Sequence, residues 1–137
     1  MEVFLGGTTA KGTNWRKKLI PMLEIDYFNP VVDDWNEKAY KKELQKRKTC
    51  DIILYVLSPL MEGGYSIAEV TDDSNKRPEK TILCILEKDG EGEYSKKRWT
   101  KSQEKSNEAI KKLVEKNGAF VLDDLEEVAE IINSFNE

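Results

Sequence analysis

At 137 residues the chain has the length of one ordinary domain and can bury its own core. Its 39 % apolar and 35 % charged content excludes a disordered polymer, and a formal charge of −4 argues against nonspecific binding to nucleic-acid polymers. The absence of histidine removes Ser-His-Asp and Cys-His catalysis and disfavours a catalytic zinc site, so acid–base or nucleophilic chemistry falls to carboxylates, tyrosine, lysine or water.

Val3 to Gly6 reads as a first strand. Trp15 to Leu23 reads as a helix, with Trp15, Leu19 and Met22/Leu23 at helical spacing and Pro21 ending it. Ile25 to Phe28 is a second strand, stopped by Asn29-Pro30. Asp34 to Lys48 is a helix with Trp35, Ala39/Tyr40 and Leu44 on one stripe. Ile52 to Leu57 is a third strand, apolar on both faces as a central parallel strand should be. Ser66 to Ser74 is a short helix, with Ser66 as N-cap and Glu69 three residues on, the spacing of a capping box. Thr81 to Leu86 is a fourth strand, and Lys88 to Tyr94 a charged loop with glycine. Ser102 to Lys116 is a helix closed by Asn117-Gly118, Ala119 to Leu122 a fifth strand, and Asp124 to Phe135 a last helix with Asp123 near its cap.

Alternating strands and helices imply an α/β three-layer sandwich whose parallel sheet is covered on both faces, commonly in strand order 2-1-3-4-5. No repeat or linker interrupts it, so residues 1–137 read as one domain. The longest apolar run, Ile52 to Leu57, is far too short to span a bilayer. Met1 leads directly into Val3-Phe4-Leu5, which leaves no room for a signal peptide; the expected location is the cytoplasm. Cys50 and Cys84 are expected as buried small apolar residues rather than a disulfide or metal pair. The cluster Lys41/Lys42/Lys46/Arg47/Lys48 and the cluster Lys96/Lys97/Arg98 read as solvated helix or loop surface.

In that strand order the loops leaving strands 1 and 3 diverge and open a crevice at the carboxyl edge. Here they are Gly6 to Ala10 and Ser58 to Tyr65, each with adjacent glycines (Gly6/Gly7 and Gly63/Gly64) that permit close approach to a ligand. Gly7 to Thr13 has Walker-like spacing, but Thr13 stands where the lysine belongs; no G-x-G-x-x-G follows strand 1. Strand 3 ends in Leu57-Ser58-Pro59, without an aspartate to accept a phosphoryl group. By helical periodicity Glu69 points away from Ile67 and Val70 and shares a polar side with Asp72 and Asp73. Its plain reading is a solvated or capping glutamate. Its functional reading is a carboxylate bordering the crevice, favoured in the ionised form by the helix N-terminus. Glu43, on the helix feeding strand 3, is by itself indistinguishable from a surface glutamate pairing with Lys46 or Arg47.

F-L-G-G-T after strand 1, N-W-R in the next helix, F-N-P-V, C-D-I-I-L-Y-V, G-G-Y-S-I-A-E-V and the closing G-A-F-V-L-D-D-L-E-E-V-A-E-I-I-N occur in an order and spacing that resemble the nucleoside 2-deoxyribosyltransferase superfamily, especially its small deoxyribosyltransferase-like branch. The resemblance implies a flavodoxin-like fold and a glutamate nucleophile at the position of Glu69. It also implies an acidic residue near the base at Glu43, a glutamate where aspartate is usual. Classical members carry an aspartate ahead of the nucleophile; Gly63 holds that spacing here, with Glu62 next to it. The implied reaction is retaining glycosyl transfer through a covalent deoxyribosyl-enzyme. Gly6, Gly7, Thr8, Gly64, Tyr65 and Ser66 are candidates to hold the sugar or a 5′-phosphate. Asn29 and Asp33 or Asp34 would line the rim. The expected substrate is a nucleoside or nucleotide, and no metal or organic cofactor is required. Hydrolysis of the same intermediate, binding without turnover and a plain interaction domain stay open as alternatives. Trp35, Tyr40, Tyr65 and Trp99 are candidate contacts of a homo-oligomer or parts of the core and its cover.

Overall fold

The computed structural model describes residues 1–136. Five parallel strands, β1 (Glu2–Gly7), β2 (Asp26–Phe28), β3 (Ile52–Leu57), β4 (Thr81–Ile85) and β5 (Phe120–Leu122), form one sheet in the order β2-β1-β3-β4-β5. Five helices connect and cover them: α1 (Trp15–Leu19), α2 (Glu37–Thr49), α3 (Tyr65–Lys76), α4 (Lys101–Lys116) and α5 (Leu125–Ser134). The result is the expected α/β three-layer architecture.

The period-2 alternation of β3 splits its apolar run between two cores. Ile52, Leu54 and Val56 pack with Val3, Leu5, Trp15, Leu19, Val128 and Ile132 on the face covered by α1 and α5. Ile53, Tyr55 and Leu57 pack with Phe4, Val70, Leu83 and Val114 on the face covered by α3 and α4. Cys50 and Cys84 are free thiols, one in each core. No helix among the described residues is long and apolar enough to cross a membrane.

Several boundaries differ from the sequence reading, each for a local reason. α1 ends at Leu19 and a 3-10 turn over Ile20–Met22 carries Pro21, whose missing N–H suits it. α2 begins at Glu37 because the Asn36 side chain accepts a hydrogen bond from the Ala39 N–H and so caps it. Trp35 therefore precedes the helix and is exposed. The stripe of Trp35, Ala39/Tyr40 and Leu44 is not what α2 buries; the buried residue of α2 is Arg47. The expected solvated cluster is thereby corrected at its centre. α3 begins at Tyr65 with Gly64 as N-cap, so Ser66 is not the cap and no capping box with Glu69 forms. The capping box lies instead at α4, between Thr100 and Gln103. α5 is capped by Asp124 rather than Asp123.

Candidate active site

A cavity of about 700 Å³ opens at the carboxyl edge where β1 and β3 part. The loop after β1 forms one wall. Thr8 N–H donates to the Val56 carbonyl at 2.9 Å, and the Thr8 hydroxyl accepts from Ser58 N–H at 3.0 Å, so this loop is tied to the end of β3. From α1, Trp15 Nε1 and Arg16 Nη1 both donate to the Thr8 carbonyl, at 2.9 and 2.8 Å. Arg16 also donates through Nε and Nη2 to the Leu5 carbonyl, at 3.1 and 2.9 Å. Its guanidinium thus serves the loop backbone, and burial brings its pKa down to about 10 against the pull of Asp89 and Glu43. Gly7 has φ +119°, and a Cβ there would overlap the Val56 backbone. A Cβ on Gly6 would lie 2.7 Å from the Tyr55 ring. These two glycines let β1 and β3 run close together at the mouth of the crevice.

Asp89, after β4, supports the same edge from behind. It is buried and accepts hydrogen bonds from Ser58 Oγ at 2.7 Å, from the Asn14 and Gly90 backbone N–H groups and from Thr13 Oγ1. It binds the loops after β1, β3 and β4 into one unit.

Glu69 is 7 % exposed and lines the cavity. It shares the inward face of α3 with Val70 and Asp73, not the solvated side expected from periodicity. The reason is that the neighbour of this face is not only apolar sheet but also the buried Arg47. Arg47 Nε and Nη2 donate to Asp73 at 2.9 and 3.1 Å, and Nη2 donates to Asp72 at 2.9 Å. Asp73, fully buried, also accepts from Tyr55 Oη and pairs with Arg77. The charged half of α3 can be buried because these partners satisfy it.

One atom is left over. Glu69 Oε2 is buried without a hydrogen-bond partner among the described residues. Arg47 Nη1, at 3.9 Å, is beyond hydrogen-bond range. Burial pushes the Glu69 carboxyl up to about 8, and the neighbouring Glu43 pushes the same way; Arg47 opposes them. This corrects the expectation of a carboxylate kept ionised by the helix end. Glu69 is the fifth residue of α3, one turn past the free N–H groups, and desolvation outweighs the dipole there. An orphaned buried carboxyl oxygen beside a second carboxyl marks this cavity as a functional-site candidate.

Of the residues singled out by sequence, Gly6, Gly7, Thr8, Glu43, Glu62, Tyr65, Ser66 and Glu69 line this cavity together. Asn29, Asp33 and Gly64 do not. Asn29 turns its Oδ1 back to the Val31 N–H, an Asx turn that presents Val31 and Val32 to the cavity instead. Asp33 is exposed, and Gly64 is occupied as the α3 N-cap. Gly63 and Gly64 have ordinary backbone angles and open space around them, so the conformational reason offered for this second glycine pair does not hold.

Sequence reasoning missed the structural parts played by Arg16, Arg47, Asp73 and Asp89. Arg16, between Trp15 and Leu19 on a short helix, carried the one readable signal, its place in N-W-R. A larger cavity, about 860 Å³, lies at the far end of the same edge between α1, α4 and α5. The smaller one is the candidate active site, because it alone holds the orphaned carboxyl and the β1 glycines.

A search of curated proteins finds no match to the chain. The sequence model of a family described as nucleoside 2-deoxyribosyltransferase like matches residues 1–88, from β1 through the end of β4 and so across both loops that wall the cavity. The chain belongs to the nucleoside 2-deoxyribosyltransferase-like family.

Proposed function

We propose that the protein cleaves the N-glycosidic bond of a (deoxy)nucleoside or nucleotide and transfers the glycosyl group through a covalent intermediate on Glu69, the chain acting as one domain. The observation that carries this reading is the unpartnered Oε2 of a buried Glu69 with Glu43 alongside, in a cavity at the carboxyl edge.

At neutral pH the Glu69 carboxyl holds a proton, because burial and the neighbouring Glu43 oppose its ionisation. That single proton suits a double displacement. On substrate binding the proton passes from Glu69 to Glu43; Glu69 then attacks C1 of the sugar as a carboxylate while Glu43 delivers the proton to the departing base. The C1–N bond breaks with its electron pair going to the base, and an ester bond between Glu69 and C1 forms. An incoming base, or water, then attacks C1, gives a proton to Glu43 and releases Glu69. The rim supplies flat apolar surface for a base in Val31, Val32 and the exposed Trp35, which packs edge-on against Tyr40 at 5.8 Å. Ser66 and the loop backbone of Gly6 to Thr8 offer polar partners for sugar hydroxyls. No step calls for a metal or organic cofactor.

The test is exchange itself. Incubation of a deoxynucleoside with a second, labelled free base is expected to move the label into nucleoside with the wild type and to lose it at least about 10³-fold with Glu69→Gln. Base release without label incorporation would assign the activity to hydrolysis. Binding of nucleoside with no bond cleavage by either protein would assign a binding module.

A further inference from the structure

The guanidinium of Arg47 is committed on all but one of its nitrogens. Nε and Nη2 form the fork to Asp73, and Nη2 also reaches Asp72. Asp73 is in turn fixed by Tyr55 Oη and Arg77, so the fork cannot swing. Nη1 alone has no hydrogen-bond acceptor among the described residues, and 3.9 Å from it lies the one buried carboxyl oxygen without a partner, Glu69 Oε2. Both side chains are only 8 % exposed, so bulk water does not serve this pair. A small rotation of the Glu69 carboxyl would bring Oε2 to about 2.8 Å, the length of a charge-assisted N–H···O bond. Oε1 is not left buried and unpartnered as Oε2 is, and Glu69 lines the cavity.

We propose that Arg47 is a positioning residue that divides the labour of the two Glu69 oxygens, gripping Oε2 once the carboxyl ionises and leaving Oε1 to attack the sugar. The proposal rests on the reading of Glu69 as nucleophile. Arg47 makes no contact with substrate in this scheme. It acts by fixing the rotation of the carboxyl and by drawing negative charge toward the helix pair, so that the nucleophile is aimed and ionised at the same moment. The other groups facing Glu69 are Glu43 from α2, Tyr55 from β3, and Tyr65 and Asp73 from α3 itself; of these, both carboxyls disfavour its ionisation. Arg47 is thus the cation that balances them.

The test is a titration of the Glu69 carboxyl in the full chain, followed by ¹³C NMR and assigned by its absence in Glu69→Gln. Arg47→Gln is expected to raise the proton affinity of Glu69 at least tenfold. The same variant should lower kcat by two orders of magnitude or more, with KM changed less than threefold. Arg47→Lys keeps the charge opposite Asp73 but lacks the second arm, and it is the variant to read should Arg47→Gln not fold. It should show a smaller rise in proton affinity and a kcat at least tenfold below wild type. A wild-type Glu69 titration in Arg47→Gln, or wild-type titration and kcat together in Arg47→Lys, would overturn the role of Arg47 while leaving Glu69 as nucleophile untouched. Full turnover by Glu69→Gln would overturn the nucleophile itself, and with it this proposal.

Discussion

The proposed chemistry turns on a carboxyl that is costly to ionise. Glu69 has an ordinary value of 4.5 that burial, then Glu43, raise to about 8. The folded state therefore binds a proton that the unfolded chain releases, and the stability this contributes is complete below pH 4.5 and lost as pH rises toward 8. Thermal melts are expected to show Glu69→Gln gaining on the wild type steadily from pH 5 to pH 8; parallel curves would contradict the assignment. Replacing the neighbour should act in the opposite sense on the titration. Glu43→Gln removes a negative charge and so lowers the Glu69 midpoint, yet also removes the proton donor, so turnover should fall about 10²-fold while Glu69 ionises more easily. An unchanged alkaline limb in its pH–rate profile would count against the pair. Of this, the sequence offered Glu69 as the candidate, through a resemblance that implies a nucleophile at its position. It did not disclose the burial, because that depends on Arg47, an α2 residue that joins Glu69 and Asp73 only once α2 and α3 pack together.

At the scale of single elements, the two glycine pairs look alike in sequence and differ in the fold. Gly7 sits at φ +119° with the Val56 backbone where a side chain would go, whereas Gly63 stands in open space with ordinary angles. Gly7→Ala is expected to cost more than about 2 kcal/mol by denaturant melting, and Gly63→Ala less than about 0.5 kcal/mol. Equal effects would show that the β1 crossing is looser than its geometry implies. The β1 loop is further held by Arg16, whose donors serve the Leu5 and Thr8 carbonyls. The strands were readable because continuous apolar runs such as Ile52 to Leu57 suit a sheet covered on both faces. Helix starts were not, since they depend on cap geometry: Ser66 has the chemistry of a cap, but Gly64 takes the position and Ser66 enters the first turn.

At the scale of the whole molecule, alternation of strand and helix was enough to infer the parallel order β2-β1-β3-β4-β5 and thus which two loops would meet. The family match ends at residue 88, yet β5, α4 and α5 complete the sheet and both cores beyond it. Leu125, Val128 and Ile132 cover one face and Val114 the other. At about 1.5–3 kcal/mol per buried large side chain, losing these four removes about 6–12 kcal/mol, comparable with the roughly 5–15 kcal/mol that stabilises an ordinary domain. A chain cut after residue 88 should be unfolded by circular dichroism; a cooperative melt would mean that the matched region is self-sufficient. The central claim concerns one bond, between Glu69 and a sugar carbon. Brief exposure of the intact protein to a 2-fluoro-2-deoxyribosyl nucleoside, followed by mass spectrometry and peptide mapping, should reveal one fluorinated sugar per chain on Glu69. Release of base with no adduct, or an adduct on another residue, would contradict it.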